Sequence, residues 1–369
     1  MISFQPSEEQ GQIIDMVRRF AADVVRPNAH DCEEGRKIPE DLLAKFWELG
    51  LVANSIPEDC GGYGYERSAL TGALIAEELA YGDLGLALAM LSPTLVAYPT
   101  LEMGTGDQKK KHLPRFCGEG FQFATAALME PRVTFDPTLL KTTARREGGE
   151  YVLNGRKCLV PFADRADLFL VFAATAPGTG ASGIQGYLVE KGAAGLQVGE
   201  REKYMGLNAL PLYQVTLTEC KVPLDSRLGG GRGTDFQRFL NLSRIAWAAM
   251  AAGVCKASKD YATQYAKERV QFGEPIASRQ AIAFMLADMA IETDAIRFLA
   301  WKAAWLADRQ EDCTREAYLA KLYAGDYAAR ITDNGVQVLG GHGYIREYPV
   351  ELWFRNGRGF EIIDGLAVV

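Results

Sequence analysis

The feature that most constrains this 369-residue chain is a double change of hydrophobic period. From Pro6 to about Gly120 the pattern is helical, as in EEQGQIIDMVRRFAADVV, where Ile13, Ile14, Val17, Phe20 and Ala21 fall at the three-four spacing of a buried stripe. PEDLLAKFWELGL opens with a Pro-Glu-Asp helix start and closes at Gly50. SALTGALIAEELAYGDLGLALAML, nearly all apolar, predicts a helix buried on most sides. Between Phe121 and Gly231 the texture changes to short β-branched and aromatic runs separated by Gly, Pro, Asn and Asp. EYVLNG, DLFLVFAA, QGYLVE, GLQVG and YQVTLTE predict an all-β insert. ATAPGTGASG (174–183) reads as a flexible loop and LGGGRGTD (228–235) as the linker back to helix. From Asp235 the helical period returns, and after Gln280 the residues Ile282, Met285, Met289, Ile296, Leu299, Ala303 and Leu306 alternate at three and four. Four such helices pack as a bundle. The expected fold class is α+β, with an N-terminal helical domain over 1–120, a β-barrel-like middle domain over 121–231 and a C-terminal four-helix domain over 232–369.

Composition narrows the function. A net charge of -7 with dispersed Lys and Arg gives no basic stripe, so neither a nucleic acid nor a membrane surface is expected as a partner. The opening MISFQPSEEQGQII has no basic segment ahead of an apolar one, and no stretch of about 18 apolar residues occurs, so the expected location is the cytoplasm. Seven cysteines without a CxxC argue against a disulfide framework or a zinc site, and His30, His112 and His342 share no ligand spacing.

Particular strings carry more than composition does. They are ELGLVANSIPEDCGGYG and IAEELAYGD near the start, MEP (129–131) and LNGRK (153–157) in the middle, and YAKERVQFGEPIASRQAIAFMLADMA, AKLYAGDYAA and VQVLGGHGYIREYPVE towards the end. In this order, and across nearly the whole chain, they resemble the acyl-CoA dehydrogenase family. The resemblance implies a tetramer with FAD at the domain and subunit junction and an acyl thioester, on CoA or a carrier protein, as substrate. A carboxylate removes the α-proton while the β-hydrogen leaves as hydride to the flavin, and the electrons pass on to an electron-transferring flavoprotein.

Carried over residue by residue, the general base falls on Asp364, followed by Gly365. The other position that bears the base in some members is Ser243 here, before Arg244. Arg269 matches an arginine that reaches the FAD pyrophosphate across the subunit boundary, with Phe272 packed beside it. Gln337, Gly340 and Gly341 match the region where the neighbouring subunit's ADP moiety lies. Asn241 and Arg244 match the thioester end of the pocket, and Leu91, with Leu84, Leu88 and Leu95, its acyl floor; core packing accounts for those leucines equally.

Around the flavin ring the sequence departs from the family. Met129 stands where a threonine is usual, and Leu159, Val160, Pro161 and Phe162 replace Trp-Ile-Thr-Asn. Met129, Pro161 and Phe135 supply no side-chain donor, and lost hydrogen bonds at about 1 kcal/mol each weaken flavin affinity unless other contacts compensate. Two further readings therefore stand beside the flavoenzyme: a divergent enzyme doing non-redox proton chemistry, and a subunit of a hetero-oligomer that completes a partner's site.

Overall fold

In the computed structural model, which describes residues 5–369, the chain opens with α1 (Glu8–Phe20). Ser7 Oγ accepts the Gln10 N–H at 3.2 Å while Gln10 Oε1 accepts the Ser7 N–H at 3.0 Å, so two unpaired amide donors are satisfied reciprocally. Glu8 and Glu9 at one end and Arg18 and Arg19 at the other complement the helix dipole. A π turn (Ala21–Val25) leads into α2 (Arg26–Gly35), and α3 (Glu40–Trp47) follows. The long apolar run expected as one helix is two, α4 (Ala69–Gly82) and α5 (Leu84–Leu91). Between them Asp83 is extended and its Oδ1 accepts the Leu86 N–H at 2.9 Å. An aspartate offers the backbone this alternative to the ladder, a break that hydropathy does not register. Helices α6 (Thr94–Met103) and α7 (Gly106–His112) complete the first layer.

The middle segment contributes β1 (Ala124–Ala127), β2 (Thr143–Glu147), β3 (Glu150–Pro161), β4 (Leu168–Ala174), β5 (Ile184–Glu190), β6 (Leu196–Arg201) and β7 (Leu212–Pro223) to one seven-stranded sheet. An antiparallel ribbon β2-β3-β7-β6 joins β4 where Thr143 meets Ala174, and β4 pairs in parallel with β1 and antiparallel with β5. Leu153, Phe169, Val171, Tyr187, Val215 and Leu217 form a core within this sheet. The five runs expected to be extended are strands. β1 and β2 carry no alternating pattern, since ATAA is uniformly small and TARRE charged; their pairing partners recruit them. A register shift against β7 between Lys157 and Val160 puts Leu159 at φ 55°, which re-aims the end of β3 towards the site.

Asp235 caps α8 (Phe236–Glu268), the longest helix described, by accepting the Arg238 N–H at 2.9 Å. A short hairpin, β8 (Val270–Gln271) with β9 (Glu274–Pro275), precedes α9 (Gln280–Asp308) and α10 (Thr314–Leu339). The fourth member of the bundle is short, α11 (Val350–Gly357), and is followed by the single turn α12 (Gly359–Ile362); Gly357 and Gly359 end a helix that would otherwise run on. Helix α4 crosses α8 at Gly253, where a Cβ would stand 2.1 Å from the Glu77 carbonyl oxygen, so only glycine allows the approach. Glu77 itself is buried and takes the Arg297 Nε of α9 at 2.6 Å, and one large apolar core runs through both helical layers. Among the described residues no single helix is long and apolar enough to cross a membrane; α5 and α6 meet at 45° inside the core.

Candidate active site

Asp364 lies just beyond α12, buried at 7% exposure. The next residue, Gly365, has φ 75°, and a Cβ there would come within 2.6 Å of Leu128 Cδ2. Glycine lets the backbone press against the end of β1, and in that position the Asp364 N–H donates to Met129 Sδ at 3.3 Å. Asp364 Oδ2 lies 3.3 Å from Lys321 Nζ on α10, whereas Oδ1 is buried without a hydrogen-bond partner. From α8 the half-buried Arg244 faces the same carboxylate, its guanidinium 5.2 Å from the Tyr318 ring and its Nε buried and unpartnered. Burial pushes the Arg244 guanidinium below its ordinary range, against the opposing pull of Asp364, Tyr318 and Asp136.

Behind this group the MEP and LNGRK strings meet. Lys157 Nζ, fully buried on β3, donates to the Leu128 carbonyl at 3.0 Å and to Glu130 Oε1 at 3.2 Å. Glu130 also accepts the N–H groups of Lys141 and Thr142, each at 2.8 Å. Burial pulls the Lys157 ammonium down to about 8, against Glu130. For Glu130 burial works upward, but Lys157 and the two amides outweigh it and hold the carboxyl below its usual range. The Lys157 ammonium and the Glu130 carboxylate are both paired, so the chain segments carrying Met129 and Leu159 are fixed relative to each other, and the Cys158 N–H bonds the Met129 carbonyl at 2.9 Å.

A cavity of about 240 Å³ opens beside the site, with Leu159, Leu212, Met205, Leu207, Ile362 and Ile363 among its lining residues. The surface it exposes is largely apolar, although Tyr204, Arg355, Asn356 and Arg358 also border it: the Leu159 N–H is engaged by Glu202 at 2.8 Å, and the Asn356 Oδ1 accepts the Leu207 N–H at 2.8 Å. Such a slot fits the face of a planar aromatic ring and offers it no side-chain donor from Leu159 or Ile363. Larger surface clefts are polar; the one of about 600 Å³ beside Arg67, Arg238 and Asp308 is crossed by ion pairs from both arginines to Glu102.

The residues singled out in the sequence fall into two groups. Asp364, Gly365, Met129 and Arg244 come together, with Pro161 buried at the end of β3, paired with Leu212. Arg269, Phe272, Gln337, Gly340 and Gly341 lie apart, exposed where α8 and α10 end, and the Tyr265 hydroxyl, 2.7 Å from His342 Nδ1, ties the two ends together. Gly340 has φ 59°, and a Cβ at Gly340 or Gly341 would meet nothing within 4 Å, which leaves the backbone open to a ligand. Phe272 does not pack beside Arg269 as expected. It is 93% exposed on the hairpin tip, with Arg279 5.9 Å from its ring, because its φ of 56° turns the side chain outward. Asn241 holds helices together: it receives Gln237 at 2.8 Å and donates to Thr314 at 3.0 Å. Ser243 is buried beside Arg244 and offers no carboxylate, and Leu84, Leu88, Leu91 and Leu95 are core. Lys321, Glu130 and Lys157 have no role that the sequence alone assigns. For Lys321 a signal existed, since it interrupts the buried stripe Ala317, Ala320, Ala324 and Ala328.

Comparison with known proteins gives matches over nearly the whole chain. Residues 7–119, 125–220 and 231–367 match, respectively, the N-terminal, middle and C-terminal domains described for acyl-CoA dehydrogenases. An acyl-CoA dehydrogenase of Bacillus subtilis (strain 168) is 36% identical over 362 residues, covering 97% of this chain and 95% of that protein. A cyclohex-1-ene-1-carbonyl-CoA dehydrogenase of Geobacter metallireducens is 37% identical over 366 residues, covering 97% and 95%. Among solved structures, butyryl-CoA dehydrogenase from Megasphaera elsdenii superposes with a TM-score of 0.89 at 31% identity, covering 100% of this chain and 96% of that one. The FAD complex of PigA gives a TM-score of 0.89 at 27% identity, covering 98% and 95%.

Proposed function

Because the chain belongs to the acyl-CoA dehydrogenase family, we propose that it is a flavoenzyme oxidising the α,β bond of an acyl thioester, with Asp364 as general base. The observation that carries this reading is the Asp364 carboxylate, buried, with one oxygen tied and the other free, directly after Ile363, which lines a largely apolar slot. The slot residues Leu159, Leu212 and Ile363 suit the ring of FAD, with Met129 and Pro161 flanking it. Arg269, Gln337, Gly340 and Gly341 are the donors and open backbone for the pyrophosphate and adenosine end of a neighbouring subunit's cofactor. FAD, when bound, supplies the acceptor for a hydride.

The steps that fall to this chain are proton and positioning steps. Asp364 Oδ1 takes the α-proton of the thioester; the electron pair of that Cα–H bond becomes the new Cα–Cβ π bond as the β-hydrogen leaves with its own pair, giving a 2-enoyl thioester. Arg244 and Lys321 offset the charge of the base before it is neutralised. The Glu130–Lys157 pair holds the floor rigid, and the apolar slot excludes water from the reacting carbons.

Two electrons then leave to an electron-transferring flavoprotein. We further propose a homo- or hetero-tetramer. Phe284, Ile291 and Phe298 are exposed at seven-residue spacing along α9, and Tyr318 and Leu322 are exposed on α10, an apolar face of the kind another subunit covers. Seven free cysteines, six of them buried, accord with a cytoplasmic location.

The test is a visible spectrum of the purified protein, followed by anaerobic addition of butyryl-, octanoyl- or cyclohexanoyl-CoA. Flavin bands bleached by a thioester, and an Asp364→Asn variant that binds thioester without bleaching, are the expected results. No flavin uptake, or bleaching by Asp364→Asn at the wild-type rate, would overturn the proposal.

A further inference from the structure

The base of this chain is an aspartate, and an aspartate carboxylate turns about a broad, two-fold terminal torsion. Left alone, its two oxygens exchange and neither is fixed in the direction of a substrate carbon. Here they are not equivalent, since Oδ2 is 3.3 Å from Lys321 Nζ while Oδ1 has no partner. Lys321 also reaches the Glu361 carbonyl at 3.5 Å, so its ammonium bridges the backbone of α12 and the carboxylate just after it.

Both side chains of the pair are largely withdrawn from water, at 16% exposure for Lys321 and 9% for Asp364. Ordering a lysine in such a place costs side-chain entropy and desolvation, which a single ion pair seldom repays as stability. The unpartnered Oδ1 adds to that cost. The charged and titratable groups facing Asp364 are Lys321 and Tyr318 from α10 and Arg244 from α8, with Asp136 beyond Arg244. Of the two cations only Lys321 is in ion-pair contact, because Arg244 is stacked over Tyr318.

We propose that Lys321 is the positioning residue of the base, tying Oδ2 of Asp364 so that Oδ1 is the oxygen presented to the α-hydrogen of the thioester. The proposal rests on the reading of Asp364 as base and adds the device that makes a short carboxylate directional. No covalent bond to Lys321 is involved; the proton passes from the α carbon to Oδ1 and later to solvent.

The experiment compares the wild type with Lys321→Met, Lys321→Arg and Asp364→Asn as holoenzymes. Two quantities are followed: exchange of the α-hydrogens of butyryl-CoA for deuterium in heavy water, which reports proton abstraction without net oxidation, and the pH profile of that exchange. Lys321→Met is expected to slow exchange by about ten- to a hundredfold and, with a cation beside the carboxylate removed, to move the acid limb of the profile upward. Flavin content and butyryl-CoA affinity by calorimetry stay within about twofold of wild type, and Lys321→Arg recovers most of the rate and the original limb. An unchanged rate, a slower rate with an unmoved limb, or a slowdown matched by loss of flavin would each overturn the positioning role. Exchange by Asp364→Asn at the wild-type rate would sink the base assignment itself. An inert Asp364→Asn beside an unaffected Lys321→Met would sink only the role of Lys321.

Discussion

The backbone N–H of Asp364 is held at 3.3 Å by the thioether of Met129, 235 residues earlier in the chain. A side chain just beyond the first strand thus sets the height of the loop that carries Asp364. Met129→Ala removes that contact and leaves a void at a site 5% exposed. The expected loss is about 2–5 kcal/mol of stability, read by urea unfolding, together with at least about tenfold in turnover as the loop relaxes. Stability lost with full turnover would show that the loop keeps its place without the sulfur.

Arg269 stands exposed at the end of α8, and no ion pair is described for its guanidinium. Arg269→Ala is expected to lower bound flavin per subunit by about tenfold or more, as befits loss of a charge-assisted donor worth about 1.5–3 kcal/mol, while leaving the melting temperature of the flavin-free protein within a degree or two. Equal flavin absorbance in variant and wild type would make Arg269 a surface residue only.

His112 gives a pH dependence of known sign. It is 3% exposed, its Nδ1 lies 3.6 Å from Glu190 without a hydrogen bond, and burial, with Arg115 nearby, pulls it down to about 4 from 6.5. The unfolded chain therefore binds a proton that the folded one refuses between these values. The contribution is complete above about pH 6.5 and is lost as pH falls towards 4, by about 3 kcal/mol in all. Urea unfolding at a series of pH values, with His112→Gln as reference, measures it; parallel pH profiles would show that His112 does not contribute.

The α9 stripe predicts assembly. Ile291→Glu, alone or with Phe284→Glu, places charge on a face whose exposed apolar residues recur at seven-residue spacing. Sedimentation should show the proposed tetramer replaced by smaller species with the monomer fold intact by circular dichroism. A variant that still sediments as a tetramer would move the interface elsewhere.

Legibility differed by level. The order of helices, sheet and helices could be read from periodicity alone, since the 3.6- and 2-residue periods report burial directly. Lost were features where a local polar group decides: Asp83 cutting an apolar run in two, or a charged TARRE drawn into the sheet by EYVLN. Asp364, Gly365 and Met129 are legible as positions in strings, but nothing in the strings shows that the first and the last touch. Lys321 carries little signal in the sequence because a lysine on a helix is usually a solvated charge; only the buried alanines around it mark it otherwise. The outward orientation of Phe272 is hidden for a related reason, as it goes with a positive φ that composition does not announce.

Helix α8 runs without interruption from Asp235 past Arg244 to Arg269. Twenty-five residues separate the two arginines, roughly 37 Å at the α-helical rise, further than one extended dinucleotide reaches. If Arg244 attends the reacting end of a cofactor, the Arg269 of the same chain attends a different molecule of it. Damage at the two ends of the rod is then separable: mixed subunits, half carrying Asp364→Asn and half Arg269→Ala, would regain some activity neither kind shows alone, because some pockets would draw both intact halves.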